Sequence, residues 1–279
     1  MQTSPIVSIP EVSPKRRQRS NTKDQKVQRT GQSQPSTAVI LAAGLGTRLM
    51  PITRTRHKCL VEVQDKAILG HLLDDLIHYQ FRKVIIVVGH LEQQIRNYVH
   101  RHYLASTLEF EFVTNPQYTT TNNIFSLWLA RHLIDDDFLL ADCDVIFSRK
   151  LLGALLFQDR AAIGKFQSFM SGATVGIDSA GFISGYSTSK ARNGSSDLFK
   201  TVNLYSISKE SWRGIREELE GWISAGKTDF FYEAVFAELI TRNLLAFKSV
   251  DFDLGAWYEI DTWEDLSTAR RLFPSGGSR

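Results

Sequence analysis

Over the first half of the chain, hydrophobic positions fall into short runs of two alternating kinds. Residues 37–42 (TAVILA) and 83–89 (KVIIVVG) are near-continuous apolar runs of strand length, the pattern of buried strands, and residues 108–113 and 138–141 read as two further strands. Between them, apolar residues recur at helical spacing. Residues 68–79 place Leu69, Leu72, Leu73, Leu76 and Ile77 on one face, and residues 91–102 and 122–132 read as two further helices. Residues 60–63 (LVEV) read as a short extended segment. Strands that alternate with helices predict an α/β chain with a doubly wound, mainly parallel, Rossmann-like mixed sheet, whose ligands sit at the carboxyl ends of the strands.

The second half reads differently. Residues 161–166, 172–178 and 198–206 have strand patterns joined by turns such as DSAG (178–181) and RNGS (192–195), which predicts antiparallel additions forming an acceptor or lid region. Helices are expected at 209–225 and 230–242, then a strand near 244–250, the segment GAWYEID, and a last helix at 263–272. No internal repeat is present.

Composition divides the chain once. Residues 1–36 are rich in Ser, Thr, Gln and Pro, carry seven Lys/Arg against two acids, and lack the apolar surface to offset the entropy of ordering. They read as a disordered basic tail, with one catalytic domain over 37–279. The whole chain is +3, so the body without its tail is slightly acidic and offers no nucleic-acid-binding face. Two cysteines, Cys59 and Cys143, build no disulfide framework and fit a reducing, cytoplasmic setting. No apolar run is long enough for a membrane span, and the residues after Arg16–Arg17 are polar where an export signal needs an apolar stretch. An oligomer is left open.

Three segments carry chemistry. LAAGLGTRL (41–49) follows a strand directly: Leu41 opens the nucleotide-binding segment, the small residues Ala42, Ala43, Gly44 and Gly46 let backbone N–H groups approach a polyphosphate, and Arg48 adds a permanent cation. The spacing is neither that of a P-loop nor that of a dinucleotide fingerprint. LLADCDVIF (139–147) brings Asp142 and Asp144 to a strand end, where a carboxylate can hold a hard cation such as Mg²⁺. In GAWYEIDTWEDL (255–266), Glu259 and Asp261 are two apart and point the same way in an extended segment, so both can share that cation; Thr262, Glu264 and Asp265 suit the cap of the final helix.

LAAGLGTRLMPIT followed by HKCLVEV resembles the signature of the sugar-1-phosphate nucleotidyltransferase superfamily. The resemblance implies that Gly44, Gly46, Thr47 and Arg48 contact the phosphates of an NTP and that Lys58 neutralises charge at the reacting centre. His57 stands where the family has proline, which predicts a less rigid turn before Lys58. It also favours Asp144 over Asp142 as the metal ligand, leaving Asp142 to the nucleotide, and makes Asp261, with Glu259 beside it, the second metal position. Arg48 and Lys58 are then the catalytic cations. No protein nucleophile or general base is needed, because the acceptor phosphate is already an anion.

The middle segment TTTNNIFSLWLA (119–130) is similar to that of bacterial-type phosphocholine cytidylyltransferases and, more loosely, of inositol-phosphate and aminoethylphosphonate cytidylyltransferases. This favours CTP as donor, with Asn122 and Asn123 at the nucleotide or as helix caps. A choline headgroup calls for an aromatic, acidic pocket. Tyr232 and Glu233 in DFFYEAVF, with Trp257 and Tyr258, are the candidates, although an aromatic stripe at this spacing equally suits a core. The expectation is an Mg²⁺-dependent transfer of NMP, CMP by preference, to a small phosphorylated acceptor such as phosphocholine, with release of pyrophosphate. Sugar 1-phosphate, aminoethylphosphonate and inositol phosphate are alternative acceptors. A catalytically dead nucleotide-binding subunit, or a protein acting through its basic tail, are the readings of another class.

Overall fold

The computed structural model describes residues 34–167, 170, 172–187, 198–253 and 255–273. The expected tail up to residue 33 and the turn at 192–195 lie outside them. Gln34 and Ser36 are already tied to the body: the Gln34 amide donates to the Tyr79 carbonyl, and the Ser36 carbonyl accepts from Arg82 and Lys83. Contacts with the body therefore already include residues assigned by composition to the tail.

The chain opens with β1 (Thr37–Ala42), then three short 3-10 turns at Thr47–Leu49, Ile52–Arg54 and Lys58–Leu60. A hairpin of β2 (Glu62–Val63) and β3 (Lys66–Ala67) leads into α1 (Ile68–His78), β4 (Lys83–Val88), α2 (Glu92–Tyr103) and β5 (Glu109–Thr114). Then come α3 (Asn123–Ala130), β6 (Phe138–Asp142), β7 (Val145–Phe147) and α4 (Arg149–Leu155). The second half holds β8 (Arg160–Lys165), β9 (Thr174–Ile177), β10 (Ile183–Ser187), β11 (Phe199–Ile207), α5 (Lys209–Ser224), α6 (Glu233–Thr241), β12 (Lys248–Asp251), β13 (Trp257–Glu259) and α7 (Trp263–Leu272).

Among the described residues one sheet runs β10-β9-β11-β6-β1-β4-β5, with β8 added on β11 and β12 on β8. β6-β1-β4-β5 form its parallel part, with β5 as a half-buried edge strand, and β11 joins β6 antiparallel, so the sheet turns mixed where the sequence pattern changes. One face packs on α1, α2 and α4 and the other on α3, α5 and α6. Burial explains the runs: every residue of Ala38–Ala42 and Val84–Val88 is buried. At the end of the chain, Thr262 and Asp265 make a reciprocal capping box on α7, as the sequence suggested.

Several pieces differ from the expectation. β3, β7, α4 and the 3-10 turns are too short to show a period, β10 (ISGYS) has no apolar run, and the helix expected from residue 230 starts at Glu233. Residues 230–232 therefore lie in a turn, where helical spacing does not govern which side chain is buried. Among the described residues, no helix is long and apolar enough to cross a membrane.

Candidate active site

β1 and β6 are parallel neighbours, and their register sets Leu41 opposite Asp142, so the loop after β1 and the carboxylates after β6 open at the same sheet end. A cleft of about 280 Å³ lies there. Its lining includes every residue assigned above to the nucleotide: Leu41, Ala42, Ala43, Gly44, Gly46, Thr47, Arg48, Asn122, Asn123 and Asp142, together with Lys58, Asp144 and Asp261.

Gly46 holds the loop's shape. It is left-handed, at φ 60°, and a Cβ there would come within 3.1 Å of Thr53 and 3.2 Å of Lys58. Both the backbone conformation and the close packing therefore require glycine. The Thr53 hydroxyl donates to the Gly46 carbonyl at 2.9 Å and fixes the turn from below. His57 does not loosen the segment before Lys58. Its φ of −59° is one that proline would adopt, its N–H donates to Gln94 Oε1, and its buried ring sits 3.0 Å from the Cys59 thiol and accepts the Cys59 N–H. Hydrogen bonds here replace the ring of a proline.

The metal segment arrives from the far end of the chain. β13 pairs antiparallel with β7, setting Glu259 opposite Val145, and the Ile260 N–H donates to the Asp144 carbonyl. This ribbon brings carboxylate oxygens of Asp144, Glu259 and Asp261 within 4.8 Å of one another. Lys58 Nζ lies between two of them, 2.9 Å from Asp144 Oδ2 and 2.7 Å from Asp261 Oδ1, and Arg48 reaches Asp261 at 2.8 Å. Burial alone would lower the Lys58 pKa, but Asp144 and Asp261 outweigh it and hold the ammonium well above its ordinary value. Burial would likewise raise Asp261, but Lys58 and Arg48 outweigh that and keep its pKa low. The other oxygen of Asp144, Oδ1, is buried with no partner. Three convergent carboxylates with an unpaired oxygen form an oxygen-only donor set, which fits a hard divalent cation such as Mg²⁺.

Two residues that the sequence left aside belong to this cluster. Lys200, on β11, is buried and pairs with Glu259 at 2.9 Å; burial lowers its pKa, but Glu259 outweighs that and raises it. A lysine in a strand whose neighbours are mostly uncharged was the available signal. Phe231 also lines the cleft and is 53% exposed, but in the run DFFYE of aromatic and acidic residues nothing in the sequence says which ring faces out.

The candidate headgroup residues are not brought together as an aromatic box. The Tyr232 ring is fully buried and packs edge-on to Tyr205 and tilted against Phe236. Trp257 is buried against Gly164, with its indole N–H on the Phe252 carbonyl. Tyr258 packs under α7 and its hydroxyl reaches Asp265. None of the three rings lines the cleft, because each is used to fill core. Glu233 is different. Its carboxyl is buried, Oε2 has no partner, and burial pushes its pKa up to about 7 despite Lys200 nearby. Asn122 and Asn123 do more than line the cleft: Asn122 caps α3, and Asn123 Oδ1 accepts the Tyr232 N–H and so positions the segment that leads to Glu233.

Residues 37–169 match the Nucleotidyl transferase family. CMP-5'-(3-aminopropyl)phosphonate synthase of Streptomyces rubellomurinus is 32% identical over 237 residues, 81% of this chain. The chain spans 37% of that synthase's length and less than half of several other relatives it matches. 2-Aminoethylphosphonate cytidylyltransferase of Lancefieldella rimae is 26% identical over 84% of this chain and 92% of its own length. Among solved structures, CTP:phosphocholine cytidylyltransferase from Streptococcus pneumoniae (LicC) superposes with a TM-score of 0.70 at 19% identity, covering 86% of this chain and 99% of that one. The doubly wound fold is thus shared.

Proposed function

We propose that this chain, whose residues 37–169 match the Nucleotidyl transferase family, transfers CMP from CTP to a small phosphate or phosphonate acceptor bearing an amine, releasing pyrophosphate. The observation that carries this reading is the meeting of Arg48 and Lys58 with Asp144 and Asp261 at the mouth of the β1 loop. A binding module has little use for two cations and three carboxylates within reach of one another, whereas phosphoryl chemistry between anions needs them.

The chain's own residues account for the main tasks. The loop at 43–48 holds the triphosphate, and Arg48 and Lys58 neutralise it so that a second anion can approach the α-phosphorus in line. The acceptor oxygen attacks there, the bond to pyrophosphate breaks, and no proton has to be removed from the nucleophile. Lys200 stands beside Glu259, where its buried charge holds that carboxylate in the cluster. A divalent cation held by Asp144 and Asp261, with Glu259 beside them, supplies further charge neutralisation when bound. CTP as donor is supported by the cytidylyltransferases among the relatives, and the acceptor's amine by the buried carboxylate of Glu233. A CTP-using enzyme of this kind works in the cytoplasm, consistent with two free thiols.

The test is pyrophosphate release with Mg²⁺, crossing CTP, UTP, GTP, ATP and dTTP against phosphocholine, aminoethylphosphonate, inositol phosphate and glucose 1-phosphate. CTP turnover with an amine-bearing acceptor is expected. UTP or dTTP turnover with glucose 1-phosphate moves the chain to the sugar branch, and silence throughout with retained nucleotide binding marks a dead subunit.

A further inference from the structure

The β1 loop is held at both of its ends by groups that do not line the cleft. At one end the His90 N–H, in the link between β4 and α2, donates to the Ala43 carbonyl at 3.1 Å. At the other the Thr53 hydroxyl donates to the Gly46 carbonyl at 2.9 Å. The two holds are joined to each other. His90 Nε2 lies 3.0 Å from the Thr53 carbonyl, and because a carbonyl only accepts, the imidazole carries a proton there and donates. The loop, Thr53 and His90 thus form one closed circuit of hydrogen bonds. Gly89 makes the approach possible, since a Cβ on it would stand 2.8 Å from the Ala43 carbonyl and equally close to Tyr118. The rings of His57 and Tyr118 flank that of His90, with centroids 6.3 and 6.0 Å away, and limit its rotation.

The consequence lies on the other side of the loop. In a trans peptide the carbonyl and the N–H that follows it point in opposite directions. Holding the Ala43 carbonyl on His90 and the Gly46 carbonyl on Thr53 therefore turns the N–H groups of Gly44 and Thr47 the other way. Both residues line the cleft, whereas Thr53 and His90 do not, and among the described residues neither of the two N–H groups has a backbone acceptor. Were either carbonyl released, its peptide could turn over and present an acceptor to a phosphate in place of a donor.

Resting on the NTP-dependent transfer proposed above, we propose that Thr53 and His90 are positioning residues for the nucleotide's triphosphate. By pinning the Gly46 and Ala43 carbonyls they keep the Thr47 and Gly44 N–H groups aimed into the cleft before the nucleotide arrives. Neither side chain touches substrate. The loop is ordered on folding rather than on binding, so less of the interaction with CTP is lost to ordering it. Their effect is therefore on how tightly CTP is held and not on the acceptor.

The experiment uses the full chain with Mg²⁺ and measures kcat, KM for CTP, KM for phosphoethanolamine and Tm, together with Kd for CTP, UTP and dTTP by calorimetry without acceptor. Thr53→Val and His90→Phe keep the shapes and remove the donors, so each should raise KM and Kd for CTP about tenfold and move KM for phosphoethanolamine less than about twofold. Thr53→Ser and His90→Gln retain a donor at similar reach and should bring both CTP constants back to within about threefold of the wild type. Gly89→Ala removes no hydrogen-bonding group but crowds the Ala43 carbonyl, and it should weaken CTP as well. Combining Thr53→Val with His90→Phe should cost less than the sum of the two, because either one opens the same circuit. A fall in Tm with unchanged CTP constants, a parallel rise in KM for both substrates, or Ser and Gln variants no better than Val and Phe overturns the inference. Where the wild type binds a triphosphate but does not turn over phosphoethanolamine, the functional reading fails and the Kd series alone decides the inference. A wild type that binds none of the three nucleotides overturns both.

Discussion

Replacing Lys58 by methionine should destabilise the protein in a way that a divalent cation repairs. Lys58 is the shared counter-ion of Asp144 and Asp261, at 2.9 and 2.7 Å, with only 14% of its side chain exposed and 22% and 8% of theirs. Lys58→Met keeps the stem but leaves two carboxylates facing each other with only Arg48 on one of them. Removing one partner of a buried pair costs about 3–5 kcal/mol. Partial exposure and Arg48 reduce that, so about 3 kcal/mol is expected. For a body of this size, each kcal/mol moves Tm by about 2–4 °C, which gives a fall of about 6–12 °C. The assay is thermal unfolding in EDTA and again in millimolar Mg²⁺. Mg²⁺ should recover much of the loss in Lys58→Met and move the wild type less, because in the variant the ion supplies the missing positive charge. The double variant Lys58→Met with Asp261→Asn should be more stable in EDTA than Lys58→Met alone, since it removes one of the two repelling charges. A Lys58→Met protein as stable as the wild type, or a double variant whose losses simply add, would refute the reasoning.

Other outcomes follow from single contacts. Asp144→Asn and Asp261→Asn should each lower CTP turnover at least about 100-fold with near-wild-type circular dichroism, because they remove charge from the cation site and leave its volume unchanged. Gly46→Ala should cost about 1–2 kcal/mol of stability through its positive φ and reduce kcat by displacing Lys58, whose Cβ it would crowd; denaturant titration and initial rates read the two effects. His57→Pro suits φ −59° but loses the N–H bond to Gln94, so a loss of about 1 kcal/mol with kcat largely kept is expected. Glu233 has a pKa raised by burial to about 7 from an ordinary 4.5, so the folded state binds its proton more tightly than the unfolded state. Its stabilising contribution is full below about pH 4.5 and is lost as pH rises to about 7 and beyond, on the order of 3 kcal/mol in all. The difference in unfolding free energy between wild type and Glu233→Gln, followed from pH 4.5 to 8, should decline over that window, and a flat difference would contradict the assignment.

Much of this protein could be read along the chain because the relevant forces act over short separations. A strand buried on both faces must be apolar throughout, so β1, β4 and β6 stand out at once. A loop that approaches phosphate needs small residues and a cation within a few positions, so Gly44, Gly46 and Arg48 are visible together. Thr262 and Asp265 cap a helix from three residues apart and are equally legible. Local pattern does not show how separate segments meet. Asp144 and Asp261 become one site only because β13 pairs with β7, and Lys58 becomes their counter-ion only once that ribbon lies beside the β1 loop.

The aromatic residues mark the other boundary. Tyr232, Trp257 and Tyr258 have the composition of a headgroup cage, but a ring's role depends on whether other side chains already cover its faces. Packing decided that, turning Tyr232 inward and leaving Phe231 at the cleft. Lys200 shows the same dependence: alone in β11 it is an oddity, and opposite Glu259 it is a charge with a place. The sequence by itself determined the elements, the phosphate loop and the chemical type of each reacting group, since these follow from neighbours along the chain. Only the tertiary structure decided which charges pair, which rings are covered and which oxygens are left without partners, because those depend on contacts between segments far apart in sequence.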